Sequence, residues 1–216
     1  MNVVAVGLIA AFAVFAVVDW RAAWRDDRRQ RSISKPAATV TLVAIAGLVG
    51  QMAGDARAAL IVAVVLCLAG DIALLGDSDG HFLAGLGAFA FGHVAYVVTA
   101  LIIGLDGRRM TVAIGFIVVL LVFQAATKML QGARRHGGNA MLAAVAAYSL
   151  IISAMVITAT GTPSWVAMVG AKLFAVSDTM IGYNRFVRPI RRADVPIMAT
   201  YHVGQLLLIL GLIAGG

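Results

Sequence analysis

Charged side chains are scarce in this sequence. Only 12% of its 216 residues are charged, 62% are hydrophobic, and the mean hydropathy is +0.96. Because a soluble domain of this size needs far more charge to cover its surface, this composition excludes a soluble globular fold. Apolar stretches long enough to cross a bilayer fill most of the length. We therefore predict a single transmembrane domain over residues 1–216.

The sequence also has only one cysteine and no basic stretch at its N-terminus. The one cysteine, Cys67, lies in an apolar run, which excludes an intrachain disulfide and predicts a small buried side chain. Residues 1–4 carry no positive charge, and the first arginine, Arg21, follows the first apolar run. This order predicts an uncleaved first span rather than a signal peptide. Without a targeting extension, the expected location is the inner (cell) membrane of a bacterium.

Alternation of apolar and polar residues, the pattern of a membrane β-barrel, is absent as well. Runs such as residues 61–66 are apolar throughout, which favours helices. We predict an all-α polytopic transmembrane bundle of about eight spans. The expected spans lie near residues 2–18, 36–53, 58–75, 81–103, 110–130, 140–160, 165–184 and 196–214.

The positive charge is confined to short stretches between spans. The net charge is +7, and most of the 17 basic residues follow predicted spans 1, 5 and 7. The positive-inside rule then predicts cytoplasmic basic loops and both termini outside. These loops are typical of contacts with membrane lipid head groups. No basic patch lies outside them, so a nucleic-acid partner is not expected.

Several polar residues lie within the apolar spans, where an ionised group costs at least about 2.5–3.5 kcal/mol. At about 1.5 Å per residue, Asp71, Asp178, Tyr201 and His202 lie roughly 6–9 Å from the predicted cytoplasmic ends of their spans. Lys35 lies at the cytoplasmic mouth of span 2. Since separate spans have no reason to agree in depth unless these groups meet, we predict a polar cavity open to the cytoplasm.

A second layer is expected about 18 Å from the cytoplasmic ends, at His93 and Lys172. Structural alternatives remain open for these residues. His93 and Tyr96 share a helix face and could form a packed hydrogen-bonded pair. Asp178 could pair with Lys172, although six residues separate the two by about 120° around the helix. His202 or Tyr201 could join Gln205 as a hydrogen-bonding contact between helices.

Two carboxylates on different helices can divide acid–base work. One, kept protonated by apolar surroundings, donates a proton, while the other stays ionised and stabilises a cation or activates water. The chain has no Gly-x-Ser-x-Gly elbow, which argues against a serine hydrolase. A metal site built from His93, His202, Asp71 and Asp178 stays open, but no His-Glu-x-x-His is present and His93 lies about 9 Å deeper than the others.

Five short motifs occur in order along the chain. They are Lys35-Pro36, Gly70-Asp71, Phe-Gly-His-Val-Ala-Tyr at residues 91–96, Gly-Ala-Lys-Leu-Phe-Ala-Val-Ser-Asp at residues 170–178, and Thr-Tyr-His-Val-Gly-Gln at residues 200–205. Together they resemble the YhhN-like lysoplasmalogenase family of eight-span membrane proteins, over nearly the whole chain. His202 is a departure, because the family more often has a second tyrosine there.

The resemblance implies hydrolysis of the vinyl ether bond of lysoplasmalogens, which gives a fatty aldehyde and glycerophosphoethanolamine or glycerophosphocholine. It implies a lysophospholipid substrate and a catalytic pair of Asp71 and Asp178. No cofactor and no metal are expected for this chemistry. The residues expected to bind the substrate or position water are Lys35, His93, Tyr96, Lys172, Tyr201, His202 and Gln205.

Two other classes of function remain open. One is a metal-dependent membrane hydrolase that acts on a lipid ester or amide. The other is a transporter or a lipid-binding scaffold. Transporters often carry internal repeats and interrupted helices, and no convincing repeat relates the two halves of this chain.

Overall fold

The fold is a bundle of eight α-helices, seen in a computed structural model that describes residues 3–216. The helices are α1 (Val3–Arg25), α2 (Arg28–Leu48), α3 (Gly54–Ala73), α4 (Asp79–Ile103), α5 (Gly107–Ala126), α6 (Met129–Gly161), α7 (Trp165–Phe186) and α8 (Asp194–Gly215). The described chain contains no β-strand. Every helix except α2 is long and apolar enough to cross a membrane. The prediction of an all-α polytopic membrane bundle is confirmed.

Helix α2 falls short because it begins with charge. We expected a span at 36–53 that starts beside Pro36, but the helix begins at Arg28 and ends at Leu48. Arginine is a good helix former, and the Asp27 side chain caps the helix by accepting from the backbone N–H of Gln30 at 2.9 Å. The basic stretch between the first two spans is therefore mostly helical. Lys35 lies two turns inside α2 rather than at its start.

Helix α6 is longer than expected and is kinked. The prediction was 140–160, whereas the helix begins at Met129. Gly137 and Gly138 leave helical geometry, and Gly138 has φ +67°, a value that favours glycine. The segment before the kink buries Met129 against Phe82 and Phe186, which extends the core at this end of the bundle.

The helix pairs with the most extensive contact are α7 with α8, α3 with α4, and α1 with α2. A Cβ added at Gly170 would lie 2.2 Å from the backbone nitrogen of Leu208, and one at Gly211 would lie 2.2 Å from that of Ala167. Only glycine permits this approach, which is the usual packing device of helices in lipid. It draws α7, which carries Asp178, tightly against α8, which carries Tyr201.

Candidate active site

Asp71 lies in a closed polar group between α2, α3 and α8. Its Oδ2 accepts a 2.6 Å hydrogen bond from the Thr39 hydroxyl and a 2.7 Å bond from the Tyr201 hydroxyl. The Lys35 ammonium lies 3.3 Å from Oδ1, and only 7% of the Lys35 side chain and 1% of the Asp71 side chain are exposed. This carboxylate is therefore paired, hydrogen-bonded and shut off from solvent.

Asp178 lies in a second polar group, between α4, α6 and α7. The Tyr148 hydroxyl donates a hydrogen bond to its Oδ2, and His93 Nε2 lies 3.7 Å from the same oxygen. About 11% of the Asp178 side chain is exposed. Unlike Asp71, this carboxyl group lines a cavity.

His93 faces Asp178 with its Nε2 atom, because Nδ1 is held by a backbone carbonyl. Its Nδ1 lies 2.5 Å from the carbonyl oxygen of Phe89, and because a carbonyl only accepts, Nδ1 carries the proton. Nε2 then faces Asp178, and in the neutral ring it presents a lone pair. The expected 9 Å difference in depth does not keep the side chains of His93 and Asp178 apart. Side chains lean toward the N-terminus of their own helix, and α4 and α7 run in opposite directions, so the two lean toward each other.

Aromatic rings lie between the two polar groups. The Phe174 ring lies 4.8 Å from the His93 ring on one side and 5.2 Å from the Tyr201 ring on the other, measured between centroids. Phe89 packs edge-on against both Phe174 and Tyr201. Within residues 3–216 the two carboxylates share no hydrogen-bond partner. They are neighbours in one core rather than a directly bonded pair.

A wide cavity, which we call the basic vestibule, opens at one end of the bundle. Its volume is about 630 Å³. Its lining comes from the starts of α2, α4 and α8, the end of α7, Asp26 before α2 and residues 74–77 after α3. Its basic residues are Arg28, Arg29, Arg31, Lys35 and Arg185. Because Lys35 also contacts Asp71, the vestibule ends at the closed polar group.

A narrower space, which we call the apolar cavity, lies beside the vestibule and measures about 50 Å³. Asp178 and Tyr148 line it together with mainly apolar side chains of α4, α6 and α7. Leu74, Phe82 and Ile181 belong to the walls of both cavities. The basic vestibule therefore adjoins the apolar cavity, whose wall holds a carboxyl group.

Two of the expected site residues lie deeper in the core. Tyr96 and Gln205 are both almost fully buried. The Gln205 amide lies beside the Tyr96 hydroxyl and the Cys67 thiol, but no contact within residues 3–216 meets hydrogen-bond geometry at Gln205. The alternative of a His93–Tyr96 hydrogen bond does not form among the described residues, because His93 is bonded to Phe89 instead.

His202 and Lys172 are not brought to either carboxylate. His202 Nδ1 accepts a 3.0 Å hydrogen bond from the Trp20 indole, on the α1 side of the bundle. Lys172 Nζ lies 5.6 Å above the Phe116 ring of α5. The positions of His202 and Lys172 along their helices would allow them to reach the site. Their side chains leave the helix in other directions, toward Trp20 and Phe116. The alternative pairing of Lys172 with Asp178 does not form among the described residues.

Sequence reasoning missed Tyr148, Thr39 and Asp19. The signals in the sequence are weak: Tyr148 is a polar aromatic residue in an aliphatic span, and Thr39 is a hydroxyl one helical turn after Lys35. Asp19 falls just past the predicted end of span 1, yet it is fully buried in α1 and accepts from Ser34 at 3.1 Å. Its position became visible only once the helix was seen to continue to Arg25.

No metal-binding cluster occurs in the part of the chain that the structure describes. No three His, Cys, Asp or Glu side chains there lie close enough to hold an ion. The ligand set considered from the sequence is not assembled, because His202 lies with Trp20 while Asp71 and Asp178 occupy different polar groups.

The chain is similar to three curated lysoplasmalogenases. It is 30% identical to lysoplasmalogenase TMEM86B of Homo sapiens, with 68% of this chain aligned to 70% of that protein. It is 31% identical to lysoplasmalogenase TMEM86B of Sus scrofa, over 72% of this chain and 64% of that protein. It is 29% identical to a lysoplasmalogenase of Mycobacterium bovis, over 82% of this chain and 69% of that protein.

No solved structure matches the chain. The model of the YhhN family matches residues 30–212, a stretch that includes both polar groups, the wall of the apolar cavity and most of the wall of the basic vestibule. The chain belongs to the YhhN family.

Proposed function

We propose that this protein hydrolyses the vinyl ether bond of lysoplasmalogens and releases a fatty aldehyde and a glycerophosphoethanolamine or glycerophosphocholine. The observation that carries the proposal is Asp178, a carboxyl group in the wall of an apolar cavity that adjoins a basic one. An amphiphilic lipid with a phosphate near its reactive bond matches both surroundings. The three curated relatives are named lysoplasmalogenases, which supports the same substrate class.

The lipid would bind across the boundary that Leu74, Phe82 and Ile181 form between the two cavities. Its phosphate would lie in the basic vestibule near Lys35 and the arginines. Because the apolar cavity is narrow, it would hold the vinyl ether and the first carbons of the chain, with the remainder in the bilayer. This position sets the reactive double bond beside Asp178.

Asp178 is the better candidate for the proton donor, since it contacts the apolar cavity and Asp71 does not. Its carboxylic acid would give a proton to the alkenyl carbon β to the ether oxygen, leaving an oxocarbenium ion. The resulting carboxylate stabilises this cation and accepts a proton from water as the water oxygen bonds to the cationic carbon. The hemiacetal then collapses to the aldehyde and the free glycerol hydroxyl, so one water is consumed.

Asp71 would not contact the reacting atoms and would act through Lys35. The sequence-based pairing made it the second catalytic carboxylate, but its contacts favour a positioning role. It holds the Lys35 ammonium at the inner end of the vestibule, where a phosphate would lie. A bacterial inner membrane remains the proposed location, which membrane fractionation of the native host would test.

The substrate class can be tested with the purified wild-type protein in detergent. Three lysolipids with the same chain and head group would be compared, carrying an alkenyl ether, a saturated alkyl ether or an acyl ester. We expect aldehyde from the alkenyl ether and no cleavage of the alkyl ether, which cannot form the oxocarbenium ion by protonation of carbon. Cleavage of the ester without aldehyde release from the alkenyl ether would contradict the proposal.

A further inference from the structure

The basic vestibule also carries negative charge. Besides its five basic residues it is lined by Asp26, Asp77 and Asp194. Asp77 forms a two-pronged ion pair with Arg28, with distances of 2.6 and 3.2 Å. Asp194 forms an ion pair with Arg31 at 2.5 Å. Within each of these two ion pairs the opposite charges cancel.

Lys35 is paired with Asp71, and Arg185 with Asp79, two carboxylates outside the lining. One group of each sign is therefore left over. Within residues 3–216, the side chains of Asp26 and Arg29 have neither an ion-pair nor a hydrogen-bond partner, and both are exposed in the vestibule. Lys35 lies deeper, with 7% of its side chain exposed. A ligand in the vestibule therefore meets a buried cation at the inner end and a free carboxylate near the rim.

This order of charges matches a zwitterionic head group. In a lysolipid the phosphate is closer to the glycerol, and so to Asp178, while the amine lies farther out. The phosphate would be bound by Lys35 and Arg29, and the ammonium by Asp26. A primary ammonium has three N–H donors for a carboxylate, whereas a trimethylammonium has none and is recognised by aromatic faces.

Aromatic faces are almost absent from the vestibule. Phe82 is the one aromatic residue among its described lining, and the Arg185 guanidinium already lies 4.2 Å from the centre of that ring. A choline group would find no open aromatic cage there. We propose that the vestibule binds zwitterionic phosphate head groups and prefers ethanolamine to choline, with Asp26 as the residue that sets this preference. The inference rests on the proposed function for its substrate but not for its binding test.

The kinetic test compares lysoplasmalogens with one alkenyl chain and three head groups: phosphoethanolamine, phosphocholine and a phosphate without an amine. We expect the highest kcat/KM for ethanolamine. In Asp26→Asn the ratio of kcat/KM for ethanolamine to kcat/KM for choline should fall about 2- to 5-fold, mainly because KM for the ethanolamine lipid rises. This is the effect expected from the loss of one exposed ion pair. Asparagine tolerates the left-handed backbone of residue 26 (φ +55°), so the variant should fold.

Asp27→Asn is the matched control. It removes the same charge at the next residue, but Asp27 caps α2 and does not line the vestibule, and asparagine caps equally well. Its head-group preference should equal that of the wild type. A wild type with kcat/KM for choline equal to or above that for ethanolamine overturns the inference, and so does an equal loss of preference in both variants.

A binding measurement separates this inference from the proposed function. Thermal stabilisation of the purified protein by acyl lysophosphatidylethanolamine and by acyl lysophosphatidylcholine requires no vinyl ether hydrolysis. We expect greater stabilisation by the ethanolamine lipid, and a smaller difference in Asp26→Asn. If no lysoplasmalogen yields aldehyde but this difference appears, the proposed function fails and the inference stands. Equal stabilisation by both lipids overturns the inference.

Discussion

Asp71 and Asp178 are both acids within the membrane bundle, but their surroundings are opposite. Asp71 has an ammonium and two hydroxyl groups around it and no open surface. Asp178 accepts a tyrosine hydroxyl on one oxygen, has an imidazole nitrogen 3.7 Å from the same oxygen, and opens onto an apolar cavity. A buried carboxylate that faces an ammonium and accepts two hydrogen bonds has the arrangement of a structural or positioning residue, whereas a carboxyl group at a cavity wall can reach a substrate.

The contrast matters because the two residues look alike in the sequence. Each is a single aspartate a few residues from the end of an apolar span. Only the helices packed around them differ: α2 brings Lys35 and Thr39 to Asp71, and α6 brings Tyr148 to Asp178. The following substitutions test this difference in roles, from the largest expected effect to the smallest.

Asp178→Asn should abolish most of the activity. Removal of a general acid typically costs about 100- to 10,000-fold in rate, and the loss should appear in kcat rather than in KM. Steady-state aldehyde release from a lysoplasmalogen measures it. Asp55→Asn is the control, because Asp55 lies at the start of α3 and lines neither cavity. An Asp178→Asn protein that keeps more than about a tenth of the wild-type rate would remove Asp178 from the chemistry.

Asp71→Asn should act first on stability. It leaves the Lys35 ammonium buried without its partner, which costs about 3–5 kcal/mol in comparable cases. Adding Lys35→Met should recover part of that loss, because the unpaired charge is then gone. Thr39→Val removes one hydrogen bond to Asp71 and should cost only about 1 kcal/mol. Thermal unfolding in detergent measures the stabilities of the three variants relative to the wild type. An Asp71→Asn protein as stable as the wild type would contradict this role of Asp71.

Tyr148→Phe should lower kcat about tenfold while the protein stays folded. It removes one hydrogen bond to Asp178, which becomes a carboxylate as it gives up its proton. A hydrogen bond to an ionised group contributes about 1.5–3 kcal/mol, and about 1.36 kcal/mol equals a factor of ten in rate. Tyr183→Phe serves as the control, since that ring packs on Phe123 and lies outside both cavities. Equal rates for the two variants would show that Tyr148 does not hold Asp178 for catalysis.

Gly182→Ala should have the smallest effect, on KM. Gly182 lines the apolar cavity, and an added Cβ would lie 2.8 Å from Met129 Sδ, so the flexible methionine must shift within the cavity wall. We expect KM to rise about threefold, close to the loss of one buried methylene contact. Gly115→Ala adds the same methyl group in α5 with nothing within 4 Å and should leave KM unchanged. A KM equal in both variants would argue against chain binding in this cavity.

Much of the fold could be predicted because membrane spans are set by length and apolar composition. The helix ends could not, since Arg28, Arg29 and Arg31 extend α2 beyond its apolar part. The family indicated by the five motifs is confirmed by the match over residues 30–212. The predicted orientation, with both termini outside, stays a prediction.

The candidate site was only partly predictable, because depth in the membrane is one coordinate and direction around the helix is another. Tyr201 and His202 are neighbours at equal depth, but about 100° of helix rotation sends one to Asp71 and the other to Trp20. The same limit placed Lys172 beside the site in the prediction and beside Phe116 in the structure. Contacts between distant helices, such as Tyr148 with Asp178, depend on packing that a single sequence does not state.

The most direct test of the division of roles is single-turnover aldehyde release, with the wild type, Asp71→Asn and Asp178→Asn each in excess over a lysoplasmalogen. The rates are divided by the fraction of folded protein, so that the loss of stability expected for Asp71→Asn does not count as lost chemistry. We predict that Asp71→Asn then keeps the chemical step within about tenfold of the wild type, while Asp178→Asn loses at least about 100-fold. The reverse order, or equal losses in both, would contradict the assignment of Asp178 as the proton donor.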